Sequence, residues 1–483
     1  MSAAVAAGPA RAGEPPEQRG ASLELEIGEP AYGGACLARL PSGRVCFVRH
    51  SLPGERVVAR LTEVRSDFAR ADAVEVLRAS PDRREPPCPV ARPGMCGGCD
   101  WQHAVPAASR AIKAAVVAEQ FRRVGHEAFD AGDLVVEALP GAGAEDAGTD
   151  AEGLGWRTRV QFATTETGRL GLRRHRSHTV QPVERCYIAA PGVEAVGAES
   201  RRWPPGASVE VIAGSDDPAA TVVVDPVATP GRDRRSPAQR GRPRRPAAPA
   251  GRAAEQSLLP TPDLPPDVAL VVLERQGLRA LRGDTVVHER AAGRSWQVTG
   301  SGFWQVHPRA ADTLAAVVVA AAGLRDGDRV LDLYSGVGLF TGALADAAPG
   351  AGLVAVEASR QACADARVNL ADLMAAGRAA VEHADVLAAL RARDPEQDGR
   401  VDVVVLDPPR AGAGAAVVAE LVRLRPRRIV YVACEPAPLA RDAAALQAAG
   451  YARTALRAFD LFPMTHHVEC VATFEDRSGA PAA

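Results

Sequence analysis

A chain of 483 residues exceeds what one hydrophobic core organises, so two or three domains are expected. Its composition is that of a folded globular protein (47% hydrophobic, 24% charged, 4% aromatic), and no apolar run reaches the ~20 residues a membrane span needs. The net charge of −2 decides neither for nor against a polyanionic partner, because an average hides local patches.

Residues 1–20 are rich in Ala, Pro, Gly and Glu and lack the basic-then-apolar pattern of a signal peptide, so a disordered tail on a cytoplasmic protein is expected. In that reducing compartment nine cysteines do not read as a disulfide framework. Lys113 is the only lysine, and the arginine excess follows the Ala/Gly/Pro bias of a GC-rich coding sequence; alone it is weak evidence for phosphate binding.

Residues 21–80 read as a small β-barrel. Leu23-Glu24-Leu25-Glu26-Ile27 alternates with period two, Gly33-Gly34 turns, Val45-Cys46-Phe47-Val48 is a second strand, and Pro53-Gly54-Glu55 turns into Arg56–Leu61. Such barrels often bind oligonucleotides. Residues 81–302 form a mixed central region, with a helix over Ala107–Val124 and a basic, strand-like stretch from Leu154 to Gln181. Two insertions, near 141–153 and 214–265, have compositions that cannot bury a core; the second carries Arg232-Asp233-Arg234-Arg235 and Arg242-Pro243-Arg244-Arg245, read as a solvated insertion or a basic arm touching RNA. Residues 303–476 alternate buried strands (Arg329–Tyr334, Leu353–Glu357, Val401–Leu406, Arg428–Val432) with helices, one running from Arg360 to about Ala376. That pattern predicts a doubly wound, mostly parallel α/β sheet with ligands at the C-terminal ends of its strands. Residues 477–483 are a second tail.

Four features fall at that sheet edge. Tyr334-Ser335-Gly336-Val337-Gly338 ends the first strand and opens a helix, so backbone N–H groups can approach a ligand. Glu357 ends the second strand and suits two ribose hydroxyls; Asp385, after the third, could accept from an adenine amino group; Asp407-Pro408-Pro409-Arg410 ends the fourth. In this order they read as an S-adenosylmethionine site. Each carboxylate alone would be a solvated cap.

Cys434, in Tyr431-Val432-Ala433-Cys434-Glu435-Pro436, stands where a buried strand becomes a helix, and is either inert packing or a nucleophile whose thiolate the helix N-terminus favours. Glu469, at the start of a later strand, is its candidate proton-transfer partner. Cys88, Cys96 and Cys99 lie within twelve residues, and Cys186 supplies a distant fourth thiol. This suits a [4Fe–4S] cluster, and also a Cys₄ zinc site. Cys36, Cys46, Cys363 and Cys470 sit in core-like patterns.

Phe303-Trp304-Gln305-Val306, the glycine turn, Asp407-Pro408-Pro409-Arg410, Tyr431–Asp442 and Asp460–Glu469 together resemble the RNA uracil-5-methyltransferase family. The N-terminal barrel, with Gly33-Gly34 and Leu52-Pro53-Gly54-Glu55, is similar to that family's TRAM module. The resemblance implies Cys434 as the nucleophile adding to uracil C6, Glu469 as the base removing the C5 proton, and a flipped-out uridine. It also implies Gln305, Tyr334, Gly336, Gly338, Glu357, Asp385 and Asp407 in the cofactor pocket, with Gln305 and Asp407 near the target base. For the cysteines it implies an iron–sulfur cluster with a structural or RNA-positioning role; for His103, packing or an RNA contact. The implied partner is RNA, 23S ribosomal RNA ahead of the T-loop of transfer RNA, with no membrane and no obligate protein partner, as a monomer. Four positions depart from the family pattern: Ala433 and Glu435 where Ser and Asn usually flank the cysteine, Leu339 where Asn often follows the glycine turn, and Met464 where His often precedes Thr465. The competing readings are RNA cytosine-5 methylation, against which Arg410 stands where a Pro-Cys pair would be needed, and a non-catalytic RNA-binding or assembly protein.

Overall fold

The computed structural model describes residues 17–129, 131–139, 153–226, 262–300, 302–394, 396–397 and 399–477. Among these, no helix is long and apolar enough to cross a membrane. The expected insertions lie outside the described residues over 141–152 and 227–261, as do 1–16 and 478–483 of the tails. Residues 17–20 belong to the fold rather than to a tail, since the Glu17 carboxylate accepts from the Ser42 N–H and hydroxyl at 2.8 and 2.7 Å.

Near the N-terminus six strands run in the order Ser22–Glu26, Arg56–Val64, Phe68–Arg78, Val45–Arg49, Ala35–Arg39, Pro30–Ala31. Just past the first strand, Gly28 N donates to Leu37 O and Leu37 N to Glu29 O (2.7 and 2.8 Å), which brings the two ends of the sheet together into a barrel-like curl. Alternate residues Leu23, Leu25, Val57, Ala59 and Leu61 fill the interior. Phe68–Arg78 was not anticipated: its charges at Arg70, Asp72, Glu75 and Arg78 mask a period-two pattern carried only by the small residues Ala69, Ala71 and Ala73.

In the middle of the chain, seven strands order as Val180–Pro182, Leu170–Arg173, Arg159–Thr164, Ser208–Ile212, Thr221–Asp225, Ala269–Glu274, Gly277–Arg282. Thr221–Asp225 corrects the expected insertion boundary. Its Thr-Val-Val-Val run is β-branched, buried and paired on both sides, so ordered structure continues past residue 214 as far as 226. A two-stranded ribbon, Val286–Ala291 with Arg294–Thr299, leads into the last unit.

That unit is an eight-stranded sheet: Ala379–His383, Gly352–Glu357, Arg329–Leu333, Val403–Leu406, Arg428–Ala433, Glu469–Asp476, Tyr451–Phe459 and, from earlier in the chain, Val136–Glu137. The first five are mutually parallel and Glu469–Asp476 runs antiparallel, so the doubly wound expectation holds with an antiparallel pair added. Val403-Val404-Val405-Leu406 is wholly buried, as helices on both faces require; each such side chain contributes about 1.5–3 kcal/mol. The long helix expected from Arg360 breaks at Leu370 (φ −108°) into Arg360–Asn369 and Ala371–Ala375. Leu370 is itself fully buried against Gly338 and so holds the glycine turn. The helix Pro106–Arg123 matches its expected span to one residue.

Candidate active site

The chain order of strands in the large sheet reverses between Arg329–Leu333 and Val403–Leu406, and the C-terminal ends of these two strands carry the glycine turn and Asp407 side by side. Such a switch point opens a crevice for a ligand. Tyr334, Gly336 and Gly338 all have left-handed φ (61°, 55° and 94°), and the turn leads into the helix Leu339–Ala347, which opens without a side-chain cap. Gly336 must stay small for its conformation alone, while a Cβ on Gly338 would sit 2.8 Å from Leu370. Glu357 braces the turn: its Oε2 accepts from Gly336 N (3.1 Å) and its Oε1 from Ser359 N (2.6 Å). Asp385 is exposed and caps the helix Val386–Ala392 by accepting from Ala388 N (3.1 Å), the plain role that its position also allowed. Gln305 is buried in the loop after the ribbon, whose Val306 O accepts from Thr158 N and Oγ1 at 2.8 and 3.0 Å.

Asp332 was missed as a candidate because it reads as one polar residue inside a strand. It is fully buried, and Thr341 donates to it from both hydroxyl (2.6 Å) and backbone N–H, yet its Oδ1 and the Ser335 hydroxyl have no partner. Two orphaned polar atoms under a glycine turn suit a polar ligand bound above them.

Cys434 directly follows the strand Arg428–Ala433 and precedes the helix Pro436–Ala448; Glu469 begins the adjacent antiparallel strand, where Ala433 is registered against Cys470. Glu469 is buried, and burial, then Asp407, then Glu435 push its carboxyl well above the usual range. Asp407 is raised to about 7 by burial and by Asp332, and Glu435 to about 7 by burial. The Cys434 thiol is pushed up to about 12 by burial, Glu469 and Asp407, with Arg410 pulling it down. This corrects the expectation that a helix N-terminus would favour the thiolate: the carboxylates and low exposure outweigh it. Glu435 caps no amide; it lies 3.9 Å from both Arg410 Nε and His467 Nδ1 and raises Glu469. Leu339 has joined the core, and Met464 is buried with a left-handed φ of 65°.

The fold brings Cys88, Cys96, Cys99 and Cys186 to one locus. Cys99 is raised by burial and then by Cys186, and Cys186 by burial and by Cys96 and Cys88. Several N–H groups point at these sulfurs: Val90 and Ala91 at Cys88, Gly98 at Cys96 (3.4 Å), Ile188 at Cys186, and Gln102 Nε2 at Cys99 (3.3 Å). Gly97 admits no side chain, since a Cβ there would meet His175 backbone at 2.6 Å. N–H donors around converging sulfurs suit a group bound by four thiolates. Even so, no three His, Cys, Asp or Glu among the described residues stand in an arrangement that holds a metal ion. His103 is buried beside Trp101 and His50, which matches the packing reading. Cys36, Cys46, Cys363 and Cys470 are wholly buried, as expected.

Residues 293–477 match the model of the tRNA (uracil-5-)-methyltransferase family, and residues 16–74 that of the TRAM domain. An uncharacterized RNA methyltransferase of Streptomyces avermitilis is 46% identical, over 94% of this chain and 98% of the relative. One from Corynebacterium efficiens is 33% identical over 95% and 96%. Among solved structures, the tRNA (uracil-54, C5)-methyltransferase of Pyrococcus abyssi, in complex with S-adenosyl-L-homocysteine, superposes with a TM-score of 0.62 at 21% identity, over 94% of this chain and all of that one, which shows a shared fold.

Proposed function

Because this chain belongs to the tRNA (uracil-5-)-methyltransferase family of RNA methyltransferases and carries a TRAM domain, we propose that it transfers a methyl group from S-adenosylmethionine to C5 of a uridine in structured RNA. The observation that carries this reading is the placing of Asp407, Cys434 and Glu469 at neighbouring ends of three adjacent strands, where Asp407 and Glu469 both raise the Cys434 thiol, beside an uncapped glycine turn. The bound cofactor supplies an electrophilic methyl group. Glu357 would accept from its ribose, Asp385 from its adenine amino group, and Tyr334, Gly336, Gly338, Gln305 and Asp407 would line its pocket.

Cys434 is the nucleophile in this reading. As the thiolate, its sulfur bonds to uracil C6, the C5=C6 pair moves toward C4–O4, and C5 becomes nucleophilic enough to take the methyl group, the pair of the broken S–CH3 bond staying with the donor's sulfur, which would leave as a neutral thioether. Glu469 then accepts the C5 proton, the double bond re-forms and the Cys434 sulfur leaves. A carboxyl raised well above its usual range is a strong enough base for this once ionised. The thiol held high by burial needs positive charge to ionise: within the chain Arg410 is the charged group that lowers it, and a bound sulfonium would supply more.

Cys88, Cys96, Cys99 and Cys186 would hold a [4Fe–4S] cluster ahead of zinc, in a structural or RNA-positioning role. With the barrel, this set favours 23S ribosomal RNA as the substrate; the family description and the Pyrococcus abyssi enzyme favour transfer RNA as the second reading. Mapping 5-methyluridine in RNA from a deletion strain separates the two. The reaction is tested with labelled S-adenosylmethionine: Cys434→Ala abolishes transfer and keeps cofactor binding, while Glu469→Gln traps RNA covalently on Cys434. Transfer by Cys434→Ala would overturn the mechanism, and bound cofactor without transfer to any RNA would leave the non-catalytic alternative.

A further inference from the structure

The four-thiol locus and the segment leading to Glu469 are far apart in sequence, yet one residue joins them. Asp100 follows Cys99 directly and is buried. Its backbone N–H and that of Trp101 both donate to Met464 O, at 2.8 and 2.9 Å. Its side-chain Oδ2 accepts from His466 N (3.0 Å) and His466 Nδ1 (2.6 Å), and its Oδ1 pairs with Arg49 of the barrel at 3.2 Å. Gly34 is there to admit this carboxylate, since a Cβ would sit 2.5 Å from Asp100 Cγ. Met464 is held in a left-handed conformation that a non-glycine residue keeps only when its surroundings impose it. On the other side of Asp100, Gln102 donates to Cys99 Sγ (3.3 Å) and accepts from Cys88 N (3.0 Å). Cys99–Gln102 is thus tied at once to the Cys99 sulfur and the Cys88 backbone, to the barrel and to the loop that ends at Glu469.

We propose that Asp100 is a positioning residue for Glu469, through which the four-thiol locus sets the proton-removal step. This rests on the reading of Glu469 as the base. Glu469 begins its strand three residues after His466, so a slack loop displaces the carboxylate but leaves Cys434, which is on another strand, in place. Loosening the latch should therefore slow loss of the C5 proton without slowing formation of the Cys434 adduct.

The test uses the full chain with RNA carrying deuterium at uracil C5, and compares Asp100→Asn, His466→Ala, Cys99→Ser and Glu469→Gln. For the first three, turnover should fall about 10- to 100-fold, as a roughly 1 Å misplacement implies. The deuterium isotope effect and the covalently trapped RNA should both rise above wild type, cofactor affinity should hold within about twofold, and amide exchange over residues 461–468 should quicken. His466→Ala serves if Asp100→Asn fails to fold, since it leaves the Arg49–Asp100 pair intact. Wild-type isotope effect and trapped RNA in a folded Asp100→Asn or His466→Ala protein overturn the proposal. The same result in Cys99→Ser alone removes the link to the thiols. If Glu469→Gln itself traps no RNA, the proposed reaction fails instead, so the two failures are distinguishable.

Discussion

Two regions bury carboxylates to a similar depth and treat them in opposite ways. In and beside the barrel, Glu55 is wholly inaccessible, and burial would raise it; instead Arg83, at 2.5 and 2.8 Å, with Leu52 N and Ser80 N, holds it below its ordinary range. Asp100 is likewise held to about 2, where His466 and Arg49 outweigh burial. At the mouth of the large sheet, Asp332, Asp407, Glu435 and Glu469 are all raised, and the arginine nearest them, Arg410, comes no nearer than 3.9 Å to Glu435. Burial alone does not set the direction in which an acid is shifted; the charge partner does.

The largest effect expected from this contrast is at Glu469. Glu469→Gln should cut turnover by about 10²–10⁴-fold, the contribution of a general base, yet melt at or above the wild-type temperature at pH 8. The neutral amide removes a group that is costly to ionise where it stands. A clear fall in melting temperature would place Glu469 with the structural acids. Glu55→Gln should do the reverse, costing about 3 kcal/mol by leaving Arg83 without its anionic partner, with turnover per folded molecule unchanged. Chemical denaturation and active-site titration read the two quantities separately.

The contrast also explains what the sequence made legible. Strand-end acids and a glycine turn announce themselves because βαβ alternation tells where each strand's C-terminal end falls, so Glu357, Asp385 and Asp407 were placed by pattern. Cys434 and Glu469 stood out through their motifs. Asp332 did not, because a single acid inside an apolar strand has no periodic signature, and only burial beside Thr341 reveals it. Lys113 passed as an ordinary helix residue in a chain otherwise using arginine. In the structure its Nζ meets Asp460 at 2.6 Å and Phe462 O at 3.1 Å, tying the helix Pro106–Arg123 to the loop before Glu469. Pairings across some 350 residues are set by tertiary contact alone, as is the Asp100–His466 pair.

A smaller, global effect follows from summing both classes. The raised carboxyls of Asp332, Asp407 and Glu435 keep protons in the folded state that the unfolded chain loses above about pH 4. Their contribution to stability is therefore complete at low pH and declines as pH rises toward about 7. Glu55 and Asp100 act oppositely: theirs is complete above about pH 4 and is lost as pH falls toward the lowered folded value, about 2 for Asp100. Melting temperature should accordingly peak near pH 5 and decline on both sides. A curve still rising from pH 5 to pH 8 would mean that the acids at the mouth are ionised and paired.

Glu435→Gln is expected to give the smallest change and the most specific one. The groups facing this carboxyl are Arg410 from the loop after the fourth strand, His466 and His467 from the segment before Glu469, and Glu469 itself. His467 is held down to about 3 by burial and by His466, so it stays neutral above pH 5 and does not supply a cation. Glu435 therefore ionises near pH 7 as an added negative charge facing Glu469, which holds that carboxyl protonated over the pH range where activity should be rising. Removing that charge should steepen the increase of methyl transfer between pH 6 and 8 by a few-fold, and leave the rate at pH 6, where the native carboxyl is mostly protonated, close to wild type. Identical pH profiles for the two proteins would show that Arg410 already neutralises Glu435, and would move this residue to the paired side of the comparison.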